Sequence, residues 1–165
     1  MTARVRLIHG DIDSGKTRRA AAWCEVEGSA GRSVAGVLAL KTPAGRRFMD
    51  IATGDEVALE HPAEGEVAVP VGRFLFRQAA FDWAVQRIHV AIQAGADAIV
   101  IDEVGPLEMR GAGFASLLDL MARDYPAVER VLLARTSLID DVVGRFGDGV
   151  ATIFDPPRNL DASAT

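Results

Sequence analysis

Apolar and polar positions recur along this chain with two periods, one typical of strands and one typical of helices. Residues 5–8 form a short apolar run that predicts a first strand. Residues 17–27 are rich in Ala and free of Pro and Gly, which predicts a helix that ends at Gly28. A glycine-containing segment separates the two, so the chain is predicted to begin as strand, loop and helix.

The next part of the chain, residues 33–76, predicts a small meander of strands. Its apolar stretches are short, and clusters of Thr, Pro, Gly and Asp separate them. The predicted elements are a strand at 33–40, a turn at 42–45, a strand at 46–52, a turn at 53–55, and extended segments at 57–59 and 67–76. We expect this meander to lie beside the main sheet or to extend it.

Helical spacing then returns, followed by a continuous apolar run. The helical stripe consists of Phe81, Ala84, Val85, Ile88 and Ile92, and Gly95 stops the predicted helix. His89 falls on the opposite, polar face, so we interpret it as a solvated side chain. Residues 96–102 show almost no alternation, which is typical of a central parallel strand buried on both faces.

The last third of the chain repeats the order of helix and strand. It predicts a helix with the stripe Phe114, Leu117, Leu118 and Met121 closed by Pro126, a strand at 128–134, a short helix opened by Ser137 with Asp140 at capping-box spacing, and a strand at 150–154. Strands that alternate with helices predict an α/β fold with a mostly parallel sheet and helices on both faces. Such sheets bind ligands at the carboxyl ends of their strands.

Length and composition bound the organisation of the chain. The 165 residues suit one domain, which we assign to residues 1–158, with a loose tail at 159–165 after two prolines. Charged residues interrupt every apolar run well before the ~20 residues that span a bilayer, so we expect no membrane association. Residues 1–10 lack the apolar segment of a signal peptide, and we therefore expect a cytoplasmic protein.

Net charge and the single cysteine exclude some classes of function. The net charge of −5 and the dispersed arginines disfavour nucleic-acid binding, which depends on a basic surface. Cys24 is the single cysteine, which excludes an intramolecular disulfide and a cysteine metal cluster. With Ala20 and Ala21 it shares one face of the first predicted helix, so we interpret it as a buried core thiol without a redox role.

Candidate chemistry begins in the first loop, where residues 10–17 read GDIDSGKT and match the phosphate-binding pattern G-x-x-x-x-G-K-[ST]. Backbone N–H groups of such a loop curl around a β-phosphate, the Lys16 amine reaches the β- and γ-phosphates, and the Thr17 hydroxyl can bind Mg²⁺. The helix N-terminus adds partial positive charge. The predicted nucleotide-binding residues are Gly10, Asp11, Ile12, Asp13, Ser14, Gly15, Lys16, Thr17 and Arg18. The alternative is a turn that carries a lysine by chance.

A second half-site is predicted at Asp102 and Glu103, where the apolar run of residues 98–101 ends in two acids. Alone, such an Asp is also typical of a simple turn cap, but a phosphate loop upstream favours a metal site. Asp102 is then the acceptor of hydrogen bonds from Mg²⁺-bound water, and Glu103 orients or deprotonates a water that attacks the γ-phosphate. The second acid favours hydrolysis over transfer to a dedicated acceptor.

Arg135 is the candidate for a catalytic cation, because it follows the predicted strand at 128–134. A guanidinium at that strand end can stabilise charge on the transferring phosphoryl group. An ion pair with a surface acid is an equal alternative. Arg73 and Arg110 are lesser candidates for the same task.

These residues resemble the stand-alone P-loop nucleoside-triphosphatases. The resemblance rests on the phosphate loop, on residues 71–74 (VGRF), which are similar to a Val-Gly-x-aromatic segment, and on residues 101–108 (IDEVGPLE), which are similar to the signature Asp-Glu-Ile/Val-Gly-x-Leu/Met-Glu. Order and spacing agree along nearly the whole chain. The resemblance implies a single-domain P-loop fold in three layers that hydrolyses ATP, GTP and other nucleoside triphosphates with Mg²⁺ and modest base selectivity.

One departure from the family lies in the loop, where Asp11 and Asp13 stand at positions that are usually neutral or small. We expect these carboxylates to oppose binding of a triphosphate. The alternative is that they face solvent, or that they recruit a cation or an arginine of a partner. Glu108 belongs to the signature, but the spacing of residues assigns it no role.

The sequence therefore predicts a Mg²⁺-dependent nucleoside-triphosphatase with Lys16, Glu103 and Arg135 as catalytic residues and Thr17 and Asp102 at the metal. A nucleoside or nucleotide kinase is the first alternative, although residues 104–128 lack the Arg-rich lid that kinases of this class usually carry. A nucleotide-dependent switch with slow hydrolysis is the second alternative. The identity of a protein partner does not follow from the sequence.

Overall fold

The computed structural model describes residues 5–147 and 151–153. The strands are β1 (Val5–His9), β2 (Val34–Thr42), β3 (Gly45–Asp50), β4 (Glu56–Ala58), β5 (Ala68–Val71), β6 (Phe74–Arg77), β7 (Ala98–Asp102), β8 (Glu129–Ala134) and β9 (Ala151–Ile153). The helices are α1 (Lys16–Ser29), α2 (Gln78–Gln93), α3 (Pro106–Met109), α4 (Ala115–Asp124) and α5 (Ile139–Phe146), and a 3-10 turn at Thr136–Leu138 precedes α5.

Seven strands form one sheet in the order β4-β3-β2-β7-β8-β1-β9. The five strands from β2 to β9 in this order are parallel, and β3 and β4 add to the edge in antiparallel orientation. The prediction of a mostly parallel sheet is therefore confirmed. The predicted meander extends the sheet through β3 and β4, whereas β5 and β6 pair as a separate hairpin.

Helices cover both faces of the sheet because β7 is apolar on both of its sides. Ala98 and Val100 face a smaller core under α1 that contains Trp23. Ile99 and Ile101 face the larger core, to which α2, α4 and α5 contribute. All five residues of β7 are buried, as the continuous apolar run predicted. The fold is a three-layer α/β arrangement, in agreement with the sequence-based prediction.

Strands β2 and β7 lie unusually close together at Gly36. This residue has a φ of 123°, and a Cβ atom placed there would lie 2.0 Å from the carbonyl oxygen of Val100. Only glycine fits this approach without displacement of backbone. The close pairing holds the carboxyl half of β2 beside Asp102, the last residue of β7.

Helix α1 ends later than the sequence predicted. It continues through Gly28 and closes in a Schellman motif, in which the N–H of Arg32 donates to the carbonyl of Glu27 at 3.0 Å and Gly31 has a φ of 87°. The prediction that Gly28 ends the helix is wrong, because the glycine with the required positive φ is three residues further along.

Two further local predictions are wrong in detail. Ser137 lies inside the 3-10 turn, so the residue that precedes α5 is Leu138, which has no side-chain oxygen for a cap. The predicted capping box with Asp140 is therefore absent. The extended segment 67–76 is broken into β5 and β6 by a turn at Gly72, whose φ is 57°. The ends of the predicted strand 150–154 and the tail 159–165 lie outside the described residues.

The remaining predictions concern single side chains. Cys24 is half-buried and packs against the core under α1, and burial raises the pKa of its thiol to about 12. The thiol is therefore a weak nucleophile at neutral pH. His89 is half-buried and lies off the buried stripe of α2. In the part of the chain that the structure describes, no helix is long and apolar enough to cross a bilayer.

Candidate active site

The phosphate loop joins β1 to α1 and turns sharply at Asp13 and Gly15, which have φ values of 61° and 87°. Lys16 is the first residue of α1 and is 8% exposed. Its Nζ donates hydrogen bonds to the carbonyl oxygens of Gly10 at 2.9 Å and Asp11 at 3.1 Å. The amine therefore lies across the mouth of the loop, where it can exchange these carbonyls for phosphate oxygens.

Thr17 and Asp102 meet in a direct hydrogen bond, since the Thr17 hydroxyl donates to Oδ2 of Asp102 at 2.7 Å. The same oxygen accepts a hydrogen bond from the N–H of Ala39 at 3.0 Å. Asp102 is 2% exposed, and burial raises its pKa to about 6 against the opposing effect of these hydrogen bonds. The structure thus brings both predicted metal residues together.

The donor set of this pair fits Mg²⁺, which prefers oxygen ligands and uses few protein groups beside substrate phosphates. Thr17 supplies a hydroxyl oxygen and Asp102 a carboxylate. Among the described residues, no group of three His, Cys, Asp or Glu side chains could hold a metal alone. The pair would therefore need phosphate oxygens and water to complete a coordination shell.

Glu103 and Arg135 form an ion pair at the edge of the same site, with Nε of Arg135 3.3 Å from Oε1 of Glu103. Strand β8 lies between β1 and β7, so Arg135 follows a strand flanked by the phosphate loop and the two acids. The peptide bond between Asp102 and Glu103 is cis. Arg135 therefore has an acid partner, as its second interpretation predicts, and that acid is the predicted water-handling residue.

These groups line one cavity of about 770 Å³, which we call the phosphate cavity. Its lining residues from the sequence-based prediction are Ile12, Asp13, Ser14, Gly15, Lys16, Thr17, Arg18, Asp102, Glu103 and Arg135. Gly10 and Asp11 do not line it; they contribute the carbonyl oxygens that hold Lys16. The convergence of loop lysine, hydroxyl, carboxylates and guanidinium suits binding and activation of a phosphate chain.

Lys41 is a site residue that sequence reasoning missed. It lies near the carboxyl end of β2, and its Nζ is 2.7 Å from Oδ1 of Asp13. This contact lowers the pKa of Asp13, through the hydrogen bond first and the charge of Lys41 second. Asp13 has therefore recruited a cation, as one of the alternatives for the loop acids predicted, and Asp11 is exposed.

Glu108 has a structural task that its spacing did not reveal. Its two carboxylate oxygens accept hydrogen bonds from the N–H of Gly105 at 2.9 Å and of Phe114 at 3.1 Å. The side chain is 3% exposed, and burial raises its pKa to about 7. Gly113 leaves room for it, since a Cβ there would lie 1.9 Å from Oε2. Glu108 thus fixes the segment that follows Glu103.

The other arginines are placed differently from Arg135. Arg110 donates a hydrogen bond to the carbonyl of Pro70 at 3.1 Å and lines no part of the phosphate cavity, so it is not a candidate for the transition state. Arg73 is exposed and lies 5.0 Å above the ring of Phe74, also outside this cavity. Arg46, which sequence reasoning passed over, lines the cavity and pairs with Glu60 at 2.9 Å.

Comparison with known proteins finds similarity over nearly the whole chain. A family model described as NTPase matches residues 6–147. The fold is similar to the solution structure of a human cancer-related nucleoside triphosphatase, with a TM-score of 0.68 and 19% identity over 95% of this chain and 90% of the other. It is also similar to the crystal structure of THEP1 from the hyperthermophile Aquifex aeolicus, with a TM-score of 0.64 and 19% identity over 96% and 93% of the two chains. No curated protein sequence matches the chain.

Proposed function

Because this chain belongs to the NTPase family and is a nucleoside-triphosphatase, we propose that it hydrolyses ATP, GTP and other nucleoside triphosphates to the diphosphate and phosphate in a Mg²⁺-dependent reaction. The observation that carries the proposal is the convergence of Lys16, the Thr17–Asp102 pair and Glu103 on one cavity. Two separate parts of the chain supply these groups, and their residue types are those that phosphoryl transfer uses.

In this proposal, backbone N–H groups of the loop and the Lys16 amine bind the β- and γ-phosphates. Lys16 leaves the carbonyls of Gly10 and Asp11, which are its partners in the structure. Thr17 and Asp102 would hold Mg²⁺, which neutralises charge on the phosphates when bound. The hydrogen bonds that Asp102 accepts from the Thr17 hydroxyl and from the Ala39 amide keep its carboxylate in place.

Glu103 then accepts the proton of the attacking water and orients its oxygen towards the γ-phosphorus. Arg135 places its guanidinium near the charge that develops on the transferring group. The ion pair between the two side chains holds both at the same edge of the cavity. Glu108 acts at a distance from the chemistry by fixing residues 105–114.

The proposal also covers the class of substrate and the location of the protein in the cell. The acidic net charge of −5 and the dispersed arginines support small-molecule substrates over nucleic acid. The sequence pattern supports a cytoplasmic protein without membrane association. Residues 104–128 lack the Arg-rich lid that kinases of this class usually carry, which supports hydrolysis over the kinase alternative.

The proposal is tested by phosphate release from ATP, GTP, CTP and UTP, each with Mg²⁺ and with a chelator in excess. We expect release only with Mg²⁺ and with differences of less than about tenfold among the bases. The variant Lys16→Ala, purified in parallel, is the control for a contaminating phosphatase. Equal release with chelator would overturn the metal requirement, and no release from any triphosphate would overturn hydrolysis itself.

A further inference from the structure

A second cavity of about 480 Å³ adjoins the phosphate cavity. We call it the aromatic cavity, because the rings of Phe48, Phe74, Phe76 and Phe81 line it. The two cavities share eight wall residues, whereas Lys16 and Thr17 line only the phosphate cavity. The shared residues are Ile12, Asp13, Ala39, Lys41, Arg46, Asp102, Glu103 and Arg135. The aromatic cavity therefore begins at the groups assigned to the γ-phosphate and to the attacking nucleophile.

The walls of the aromatic cavity combine a buried floor with a partly open side. Phe48 and Phe81 are 2% and 5% exposed and pack edge to face with a centroid distance of 5.4 Å. Phe74 and Phe76, on strand β6, are half-buried and nearly parallel, with an interplanar angle of 12°. Charged side chains, among them Arg46, Glu103 and Arg135, line the cavity beside these rings. A cavity of this size that combines aromatic and charged groups suits a small polar molecule with a flat ring.

Four cations line the aromatic cavity, and three of them already have an acid partner. Lys41 pairs with Asp13, Arg46 with Glu60 and Arg135 with Glu103. Arg73 has no ion pair among the described residues, and its guanidinium lies over the Phe74 ring. Arg46 covers the same ring at 4.1 Å. Guanidinium groups beside aromatic rings favour flat, electron-rich ligands.

We propose that the aromatic cavity binds a nucleoside as a phosphoryl acceptor, and that the protein transfers the γ-phosphoryl group to its hydroxyl. The inference rests on the proposed function, since it uses the same phosphate cavity. The acceptor oxygen forms a bond to the γ-phosphorus, and the bond from that phosphorus to the β–γ bridging oxygen breaks. The nucleoside diphosphate leaves with the electron pair, and the acceptor proton passes to Glu103.

Position favours an acceptor over the base of the triphosphate itself. The aromatic cavity includes Glu103 and Arg135, which are assigned to the nucleophile and to the transferring group, and it also touches the phosphate loop at Ile12 and Asp13. It does not reach Thr17 or Arg18, which follow the loop lysine. Residues 104–128 contain no Arg-rich lid, but a transferase site can take its guanidinium groups from elsewhere. Here Arg46 and Arg73, which lie earlier in the chain, line the aromatic cavity.

The test follows the label of γ-³²P-ATP with Mg²⁺ in the presence of millimolar adenosine, guanosine, cytidine, uridine or thymidine. We expect at least one nucleoside monophosphate to acquire label while free phosphate falls. The variant Phe74→Leu removes the ring that Arg46 and Arg73 cover and keeps apolar volume. If the nucleoside stacks on this layer of ring and guanidinium groups, the ratio of transfer to hydrolysis falls by about 5- to 100-fold. Leu75→Ala is the matched control, because Leu75 is 54% exposed and does not line the cavity.

The outcomes separate this inference from the proposed function. Hydrolysis without label in any nucleoside overturns the acceptor site and leaves the hydrolase intact, whereas the absence of hydrolysis and transfer together overturns both. Nucleosides that compete with ATP for binding and acquire no label would show that the cavity holds the base of the triphosphate, which also overturns the acceptor. An equal transfer ratio in Phe74→Leu and Leu75→Ala would place the acceptor elsewhere.

Discussion

The Nζ of Lys41 lies 2.7 Å from Oδ1 of Asp13, so a cation from strand β2 neutralises one of the two acids of the phosphate loop. Both side chains are more than half exposed, at 57% and 67%. Water screens such a pair, and its contribution to stability is small. Lys41 is therefore able to leave Asp13 for a phosphate oxygen without a large loss of free energy.

This relationship predicts that Lys41→Ala weakens binding of a Mg²⁺-triphosphate. The variant removes a cation and leaves the Asp13 carboxylate uncompensated beside the phosphates. One charge at ~8 Å contributes roughly 0.5 to 2 kcal/mol, depending on the effective dielectric, which corresponds to about 2- to 30-fold in Kd. Calorimetric titration with a non-hydrolysable triphosphate at low salt measures the change, and the effect is expected to shrink at high salt because exposed charges are screened.

The double variant Lys41→Ala with Asp13→Asn is the matched control for that charge argument. Removal of both partners restores the net charge of the loop, so affinity is expected to return close to that of the wild type. Asp11→Asn removes an exposed loop acid that does not line the phosphate cavity. This variant is expected to tighten triphosphate binding by a factor similar to the loss in Lys41→Ala. An unchanged Kd in Lys41→Ala at low salt would contradict the electrostatic role of Lys41.

Lys16→Ala is expected to abolish hydrolysis, because the amine is the loop's own cation at the transferring group. In the wild type this amine is held by the carbonyls of Gly10 and Asp11, so its loss removes no ion pair. Circular dichroism and steady-state phosphate release together separate folding from catalysis. Arg123→Ala is the control, since that exposed arginine pairs only with its neighbour Asp124 in the described structure. Full turnover in Lys16→Ala would refute the assignment of the loop.

Glu103→Gln is expected to keep Mg²⁺-triphosphate binding and to lose about 10²- to 10⁴-fold in kcat, the usual contribution of a positioned acid–base group. Arg135→Ala is expected to lower kcat by about tenfold or more through the loss of charge stabilisation. Because the two side chains form an ion pair, their effects should not add. Single-turnover kinetics on both variants and on the double variant measure the losses in rate and whether they add. If Glu103→Gln lost binding and turnover in parallel, Glu103 would have a structural role instead.

The parts of the site that the sequence predicted are those that one continuous segment supplies. Residues 10–17 contain the whole loop, and Asp102 with Glu103 ends a run whose burial on both faces is visible in its composition. Their mutual approach followed from a general property of parallel sheets. Lys41 and Arg46 were missed because only the antiparallel pairing of β2 with β3, in which they face each other, brings them to the loop.

Each wrong prediction of a helix end has a cause in the neighbouring residues. Gly28 was assigned as a helix end, but a helix tolerates a glycine when a later one, Gly31, supplies the positive φ of the Schellman motif. Ser137 was assigned as a cap, but the 3-10 turn at Thr136–Leu138 took its place. The role of Glu108 depends on the amide of Phe114, six residues away across a loop, and no periodic pattern encodes that contact.

Glu108 gives a prediction for stability against pH. Burial raises its pKa to about 7 from the ordinary glutamate value of 4.5, so between these pH values the folded protein holds a proton that the unfolded chain releases. The stabilising contribution of the protonated group is complete below about pH 4.5 and is lost as the pH rises through about 7. A shift of this size corresponds to a loss on the order of 3 kcal/mol in the free energy of unfolding.

Glu108→Gln isolates this contribution from other titrating groups, such as Asp102. The amide has no proton to lose, but its nitrogen cannot accept the hydrogen bond that a carboxyl oxygen of Glu108 accepts from a backbone N–H. The variant is therefore expected to be less stable than the wild type by about 1 to 3 kcal/mol at pH 5. The difference should shrink or reverse by pH 8, where the wild type carries a buried charge. Urea unfolding at half-unit steps from pH 5 to pH 8 measures it. A difference that stays constant across this range would show that the carboxyl of Glu108 does not titrate there.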